Sequence, residues 1–126
     1  MTTNTYSIQQ ISEMTGLSAH TLRYYEKIGL LTEISRDLSG YRQYSDKDLS
    51  WIQFLIRLQE TGMKISGRVR FAELRSQGES TISSRRELLE SHRDEVHAQI
   101  SKLLQNLKAI EDKIEIYKTM ELDRNP

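Results

Sequence analysis

The chain has 126 residues and a mass of 14.7 kDa, is 29% charged and 37% hydrophobic, and balances 18 basic against 18 acidic residues. That is enough for one compact domain, or a smaller one with an extension, but not for a single large core spread over the whole length. The absence of cysteine excludes disulfides, thiolate metal sites and redox-sensing thiols, and with no apolar run of bilayer length and no charged-then-apolar leader, a cytoplasmic protein without membrane contact is expected.

Zero net charge and a pI near 6.8 argue against a general polybasic nucleic-acid clamp. The distribution is uneven, however. Residues 51–75 carry five Lys/Arg against two Asp/Glu, whereas residues 76–126 carry eight against ten. Local basic spots in a weak overall field suit sequence-selective binding better than non-specific binding.

Residues 1–5 are polar and expected to fray. Ser7 with Gln10 forms a capping-box pattern, followed by Ile8, Ile11 and Met14 at helical spacing. A tight turn at Thr15-Gly16-Leu17-Ser18 leads into a second short helix, with Ser18 as N-cap and Gly29 placed to end it. Leu22 and Ile28, flanked by Leu17 and Leu30, are the residues expected to pack inward. His20, Thr21, Arg23, Tyr24 and Lys27 are left as a cationic and aromatic surface. Arg can fork onto a guanine edge or a phosphate, and Tyr hydroxyls can donate to phosphate oxygens. The alternative for this helix is a solvated face with two half-buried tyrosines. Two short helices joined by a Gly-containing turn form a helix-turn-helix pattern, with the second in the recognition position.

Two β-compatible segments follow, Leu31 to Arg36 and Tyr41 to Tyr44, around the turn residues Asp37-Leu38-Ser39-Gly40. A hairpin directly after a recognition helix is a wing. Arg36 and Arg42 would contact phosphate from it, and at least one tyrosine would pack against the helices. Ser45 and Asp48 form a second capping box, opening a helix whose wide apolar arc places it at the domain centre, with Trp51 at the arc's edge as an anchor. After Thr61-Gly62, a further short helix carries Lys64, Arg68, Arg70 and Arg75, a basic cluster on a second wing.

Residues 77–81 mark a break, and from there to about Glu121 no Gly or Pro interrupts. Ile82, Leu89, Val96, Leu103, Ile110 and Tyr117 recur every seven residues, and Ile100, Leu107 and Ile114 fall four residues after three of them. This is a coiled-coil seam. One helix cannot cover so narrow a stripe, so a second copy of the chain is the expected partner. The alternative is that the helix folds back on its own N-terminal domain. The expected division is a DNA-binding domain over 1–77 and a dimerisation helix with a short tail over 78–126.

Taken together, Ile8-Gln9-Gln10-Ile11, Thr15-Gly16-Leu17-Ser18, Thr21-Leu22-Arg23-Tyr24-Tyr25-Glu26, Gly29-Leu30-Leu31 and Gly40-Tyr41-Arg42-Gln43-Tyr44 closely resemble the MerR family of bacterial transcription regulators. The resemblance covers the first 75 residues and extends to the long helix. It implies a mainly α fold: a winged helix-turn-helix domain with a small β-hairpin wing, then a long C-terminal helix pairing with its copy in an antiparallel coiled coil. It also implies a homodimer on a two-fold symmetric promoter operator, distorting the duplex so that RNA polymerase engages, with an effector shifting which distortion is favoured. By that analogy Arg23, Tyr24 and Tyr25 contact or brace the major-groove side, and Ser18, His20 and Thr21 on the same helix are DNA-binding candidates beside them. Arg36, Tyr41 and Arg42 hold phosphate from the first wing, and Lys64 or Arg68 from the second; Tyr25 and Glu26 are alternatively structural.

The chain departs from the family pattern in places. Thr32 and Glu33 stand where a proline is usual, implying a looser start to the wing. The cysteines of metal-responsive members are missing, and Arg57 stands where the aldehyde- and electrophile-responsive branch, the nearest in body, has its cysteine. The chain ends soon after the coiled coil, without room for a large drug-binding domain. His92 and His97 lie five apart, off one helix face, and with His20 are expected at solvated positions, so no metal is expected. No catalytic constellation or phosphate-cradling loop stands out, so neither enzyme activity nor a cofactor is expected. A small-molecule effector remains open. Two other functions compete: an effector-independent architectural or excision-type DNA-binding protein, and a coiled-coil module that binds protein.

Overall fold

Three of the helices begin on a serine, and in each the hydroxyl replaces a missing intrahelical acceptor. The computed structural model describes residues 4–124. Helix α1, Ile8–Thr15, starts at Ser7: its Oγ accepts from the Gln10 N–H at 3.1 Å, while Gln10 Oε1 accepts from the Ser7 N–H at 2.8 Å. Gly16, in the left-handed region at φ +79°, closes α1 by donating to the Ser12 carbonyl; a Cβ would be strained there. Helix α2, Ala19–Lys27, starts at Ser18, whose Oγ accepts from the Thr21 N–H at 3.0 Å. It ends where the Leu30 and Leu31 N–H groups both turn back to the Tyr25 carbonyl.

Strand β1 is Thr5–Tyr6, β2 is Ser35–Arg36 and β3 is Arg42–Ser45. They form an antiparallel sheet in the order β1-β3-β2, with Tyr6 opposite Tyr44 and Arg36 opposite Arg42. The expected fraying of residues 1–5 is corrected at Thr5, which pairs with Ser45. Residues 1–3 of that stretch lie outside the described residues. The strand expected over Leu31 to Arg36 is shorter because Leu31 is buried in the core and Glu33 adopts φ +58°, which breaks an extended run. Asp37 rigidifies the hairpin turn: its Oδ1 accepts from the Ser39 and Tyr41 N–H groups, both at 2.9 Å.

Helix α3, Asp46–Glu60, begins immediately after β3, so Ser45 is both the last residue of the strand and the helix cap, reciprocated by Asp48. Its apolar arc buries Trp51, Ile52, Leu55 and Leu58. With Ile11, Leu22, Leu30, Leu31 and Tyr44 these form the core of the N-terminal unit; burying an aliphatic side chain of this size contributes about 1.5–3 kcal/mol. Trp51 stacks on Phe71 of α4, Ile65–Ser76, at 5.6 Å between ring centroids, with Phe54 tilted against both rings and the Arg75 guanidinium 4.3 Å from the Trp51 ring centre. Met14, expected on the apolar face of α1, is half exposed.

A single 3₁₀ turn, Glu79–Thr81, follows Gly78, and the buried Thr81 hydroxyl bonds to the Leu74 carbonyl. Helix α5 then runs from Ile82 to Arg124, 43 residues, about 65 Å at 1.5 Å per residue. The chain divides into two compact units, one through Leu88 and one from Leu89 onward. In the second, Ile100, Leu103, Leu107, Ile110, Ile114 and Tyr117 are each 46–67% exposed, while Leu89 and Val96 are half-buried. His92 corrects the expectation of solvated histidines: it is buried, on a stretch where Leu89 and Glu90 are also half covered, with Nδ1 4.0 Å from Glu95. His20 and His97 are exposed.

Candidate nucleic-acid interface

Helix α2 divides its residues sharply. Leu22 and Tyr25 face the core, and the Tyr25 hydroxyl donates to Gln59 Oε1 at 3.2 Å. His20, Arg23, Tyr24 and Lys27 are exposed and Thr21 is partly so. The helical period that buries positions 22 and 25 turns 20, 23, 24 and 27 outward, so Tyr24 and Tyr25, adjacent in sequence, have opposite environments. Ser18 is exposed and already engaged, as cap and through its hydroxyl to Thr21 Oγ1 at 2.9 Å.

Beside α2, the wing and the starts of α1 and α2 enclose a cleft of about 450 Å³, lined among others by Ser7, Gln9, Arg23, Arg36, Tyr41 and Arg42. Three arginines from separate elements line it. The first residues of two helices also contribute, and their N-terminal dipole ends favour an anion. Tyr41 is 73% exposed, whereas Tyr44, three residues on, is fully buried; an odd spacing along an extended chain puts one tyrosine on the surface and the other in the core. Burial raises the pKa of the Tyr44 phenol, and its hydroxyl has no hydrogen-bond partner among the described residues. The Tyr6 phenol, at the sheet's other edge, donates to Asp46 Oδ1 at 2.8 Å, and that bond raises its pKa.

Glu26, from the last turn of α2, reaches the wing. Its carboxylate accepts from Arg42 Nε and from an Arg42 terminal nitrogen at 3.1 Å, and lies 3.8 Å from Arg36. Arg36 also donates to the Gly40 carbonyl at 3.0 Å. Lys64 is exposed at the start of α4. Arg68, expected in the same basic surface cluster, is instead 8% exposed, with Nε donating to the Met63 carbonyl at 3.2 Å.

Sequence reasoning brought Arg23, Arg36, Tyr41 and Arg42 forward, and the fold gathers them; it missed Ser7 and Gln9 on the cleft wall. The only signal for those two was their place at the start of α1, which becomes meaningful once β1 pairs with β3.

A recognition helix, a hairpin wing beside it and an arginine-lined cleft between them define a winged helix-turn-helix protein of the DNA-binding class. The model of the MerR HTH family regulatory proteins matches residues 6–70. An uncharacterised HTH-type transcriptional regulator of Haemophilus influenzae is 41% identical over 113 residues, covering 90% of this chain and 84% of the relative. The chain belongs to the MerR family and is a DNA-binding transcription regulator of that type. HiNmlR, a MerR family regulator lacking the sensor domain and solved bound to promoter DNA, shares 40% identity at a TM-score of 0.84, with 92% of each chain covered. A MerR family regulator from Listeria monocytogenes shares 37% at 0.85, covering 90% of this chain and 86% of that one. AdhR of Bacillus subtilis is 34% identical over 87 residues, covering 69% of this chain and 62% of AdhR.

Proposed function

We propose that the chain binds a two-fold symmetric promoter operator as a homodimer and regulates transcription by distorting the DNA toward or away from a geometry that RNA polymerase can use. Ser18, His20, Thr21, Arg23 and Tyr24 form the major-groove face. Arg36, Tyr41 and Arg42 engage the backbone from the wing, and Lys64 does so from the start of α4. Tyr25 and Arg68 brace the elements that carry these contacts. The observation that carries the reading is the convergence of Arg23, Arg36 and Arg42 on one cleft in a chain of zero net charge. Positive charge gathers at that cleft, tempered by Glu26, although the chain as a whole is neutral.

The homodimer is supported by the stripe of half-exposed Ile and Leu residues at coiled-coil spacing on α5. Division of labour falls between a DNA-binding part over 1–77 and a dimerisation part over 78–126. Leu89, Val96, Ile100, Leu103, Leu107, Ile110, Ile114 and Tyr117 form the seam. The protein acts in the cytoplasm and is not an enzyme; among the described residues no helix is long and apolar enough to cross a membrane. With no cysteine in the chain, any effector acts without thiol chemistry.

Selection of bound duplexes from a random pool, followed by salt titration on the winner, tests this. An inverted repeat bound well above random DNA is expected, with affinity lost on Arg23→Ala and Arg42→Ala. Unchanged operator affinity in both variants refutes the assigned face.

A further inference from the structure

Arg36 and Arg42 are directly opposed across the hairpin, an arrangement of like charges that destabilises a strand pair when nothing separates them. Glu26 provides the separation, from a different element. It does so unequally: Arg42 grips the carboxylate through two nitrogens, with its side chain 22% exposed, whereas Arg36 stands 3.8 Å away at 49% exposed. Arg36's other bond is to a neutral carbonyl, that of Gly40. One arginine is therefore built in, and the other is only loosely retained at the mouth of the same cleft.

Resting on the DNA-binding reading above, we propose that Glu26 is a positioning and selectivity residue. It orients Arg42, from the recognition-helix side, for its contact with the DNA backbone, and it holds Arg36 until a DNA phosphate displaces it. A carboxylate at this place repels every phosphate that enters. Only a duplex whose backbone brings a phosphate within reach of Arg36 gains an ion pair that offsets the repulsion; a duplex of the wrong shape meets the carboxylate without that gain. The negative charge thus weakens binding to random DNA more than to the operator, a repulsive element that creates discrimination.

The test uses the full chain, a duplex recovered by selection and a scrambled duplex of equal length, with affinity measured by fluorescence anisotropy across a salt series. Glu26→Gln keeps the size and one acceptor for Arg42 while removing the charge. It is expected to tighten binding to the scrambled duplex, steepen its log–log salt slope by about 0.9, the increment for one more neutralised phosphate, and cut the selected-to-scrambled ratio roughly tenfold, the scale of one base-pair mismatch. Arg36→Ala should flatten the slope on the selected duplex by a similar amount, and in that background Glu26→Gln should no longer change the slope. A purely structural Glu26 would lower affinity for both duplexes equally, with slopes unchanged, and that result overturns the proposal. So does a slope change on Glu26→Gln that survives Arg36→Ala. Circular dichroism checks folding. If Glu26→Gln fails to fold, Arg36→Ala decides alone, and an equal slope change on both duplexes overturns the proposal. Wild-type protein that prefers no duplex refutes the DNA-binding reading itself, whereas discriminating wild type with an indifferent Glu26→Gln refutes only the role of Glu26.

Discussion

The indole N–H of Trp51 donates to the main-chain carbonyl of Leu30 at 2.8 Å, a buried bond between the middle of α3 and the residue that leads from α2 toward the wing. Trp51→Phe retains an aromatic ring near Phe71 but leaves that carbonyl unpaired. An unsatisfied buried acceptor costs about 1–3 kcal/mol, so urea denaturation followed by circular dichroism should show a lower midpoint by that equivalent. A midpoint equal to wild type would mean that water reaches the carbonyl.

Tyr44 presents the reverse situation, a buried hydroxyl without a partner among the described residues. Its removal in Tyr44→Phe relieves a desolvated polar group and is expected to be neutral or stabilising at pH 7 in a thermal melt. The pKa of the phenol is raised by burial from 10.0. The folded state therefore holds this proton more tightly than the unfolded chain, and the associated stability is present below pH 10 and lost as pH rises through the folded pKa. Wild type should lose more stability than Tyr44→Phe between pH 9 and pH 11. Parallel losses in the two proteins would show that Tyr44 does not contribute.

Lys64 and Arg68 lie four residues apart and are expected to fail differently. Lys64→Ala should leave stability within about 0.5 kcal/mol and reduce the salt slope of DNA binding by about one. Arg68→Ala removes a covered side chain bonded to the Met63 carbonyl and should cost about 1–3 kcal/mol of stability. The outcome against this assignment is a stable Arg68→Ala with a flattened salt slope.

On α5, Leu107 is 49% exposed in the isolated chain, at the centre of the apolar stripe. Leu107→Lys puts a charge into the seam expected between two copies. Light scattering after size-exclusion chromatography should show wild type near twice the 14.7 kDa chain mass and a substantial monomer fraction in the variant. Wild type that runs at the single-chain mass would remove the coiled-coil argument.

Much of this fold was legible because its signals are local. Ser7 with Gln10 and Ser45 with Asp48 are three residues apart and form the expected reciprocal caps. The seven-residue recurrence from Val96 to Tyr117 falls within one uninterrupted helix. What was missed depends on pairs distant in sequence. Thr5 is a strand residue only because Ser45 lies opposite it. Nothing in the composition of residues 1–5 reveals that. The cleft shows the same limit: Arg23, Arg36 and Arg42 were identifiable by residue type, but the unequal sharing of Glu26 depends on a hairpin register that the chain acquires only when folded. Arg68 looked like surface because arginine usually is; the carbonyl that receives it comes from the turn before its own helix.

Ser45 serves as the end of β3 and the cap of α3 with no residue between the two elements, which leaves the junction without slack. A loop at that point would absorb a tilt of the wing as torsion of the linker. Here a tilt must turn the axis of α3 itself, displacing the indole of Trp51 and the ring of Phe71 stacked on it. A tilt of the hairpin is therefore expected to reach the aromatic cluster. A duplex that forces the wing to a new angle does work on the packing of the core, and a molecule that wedges the aromatic rings apart would move the wing in return.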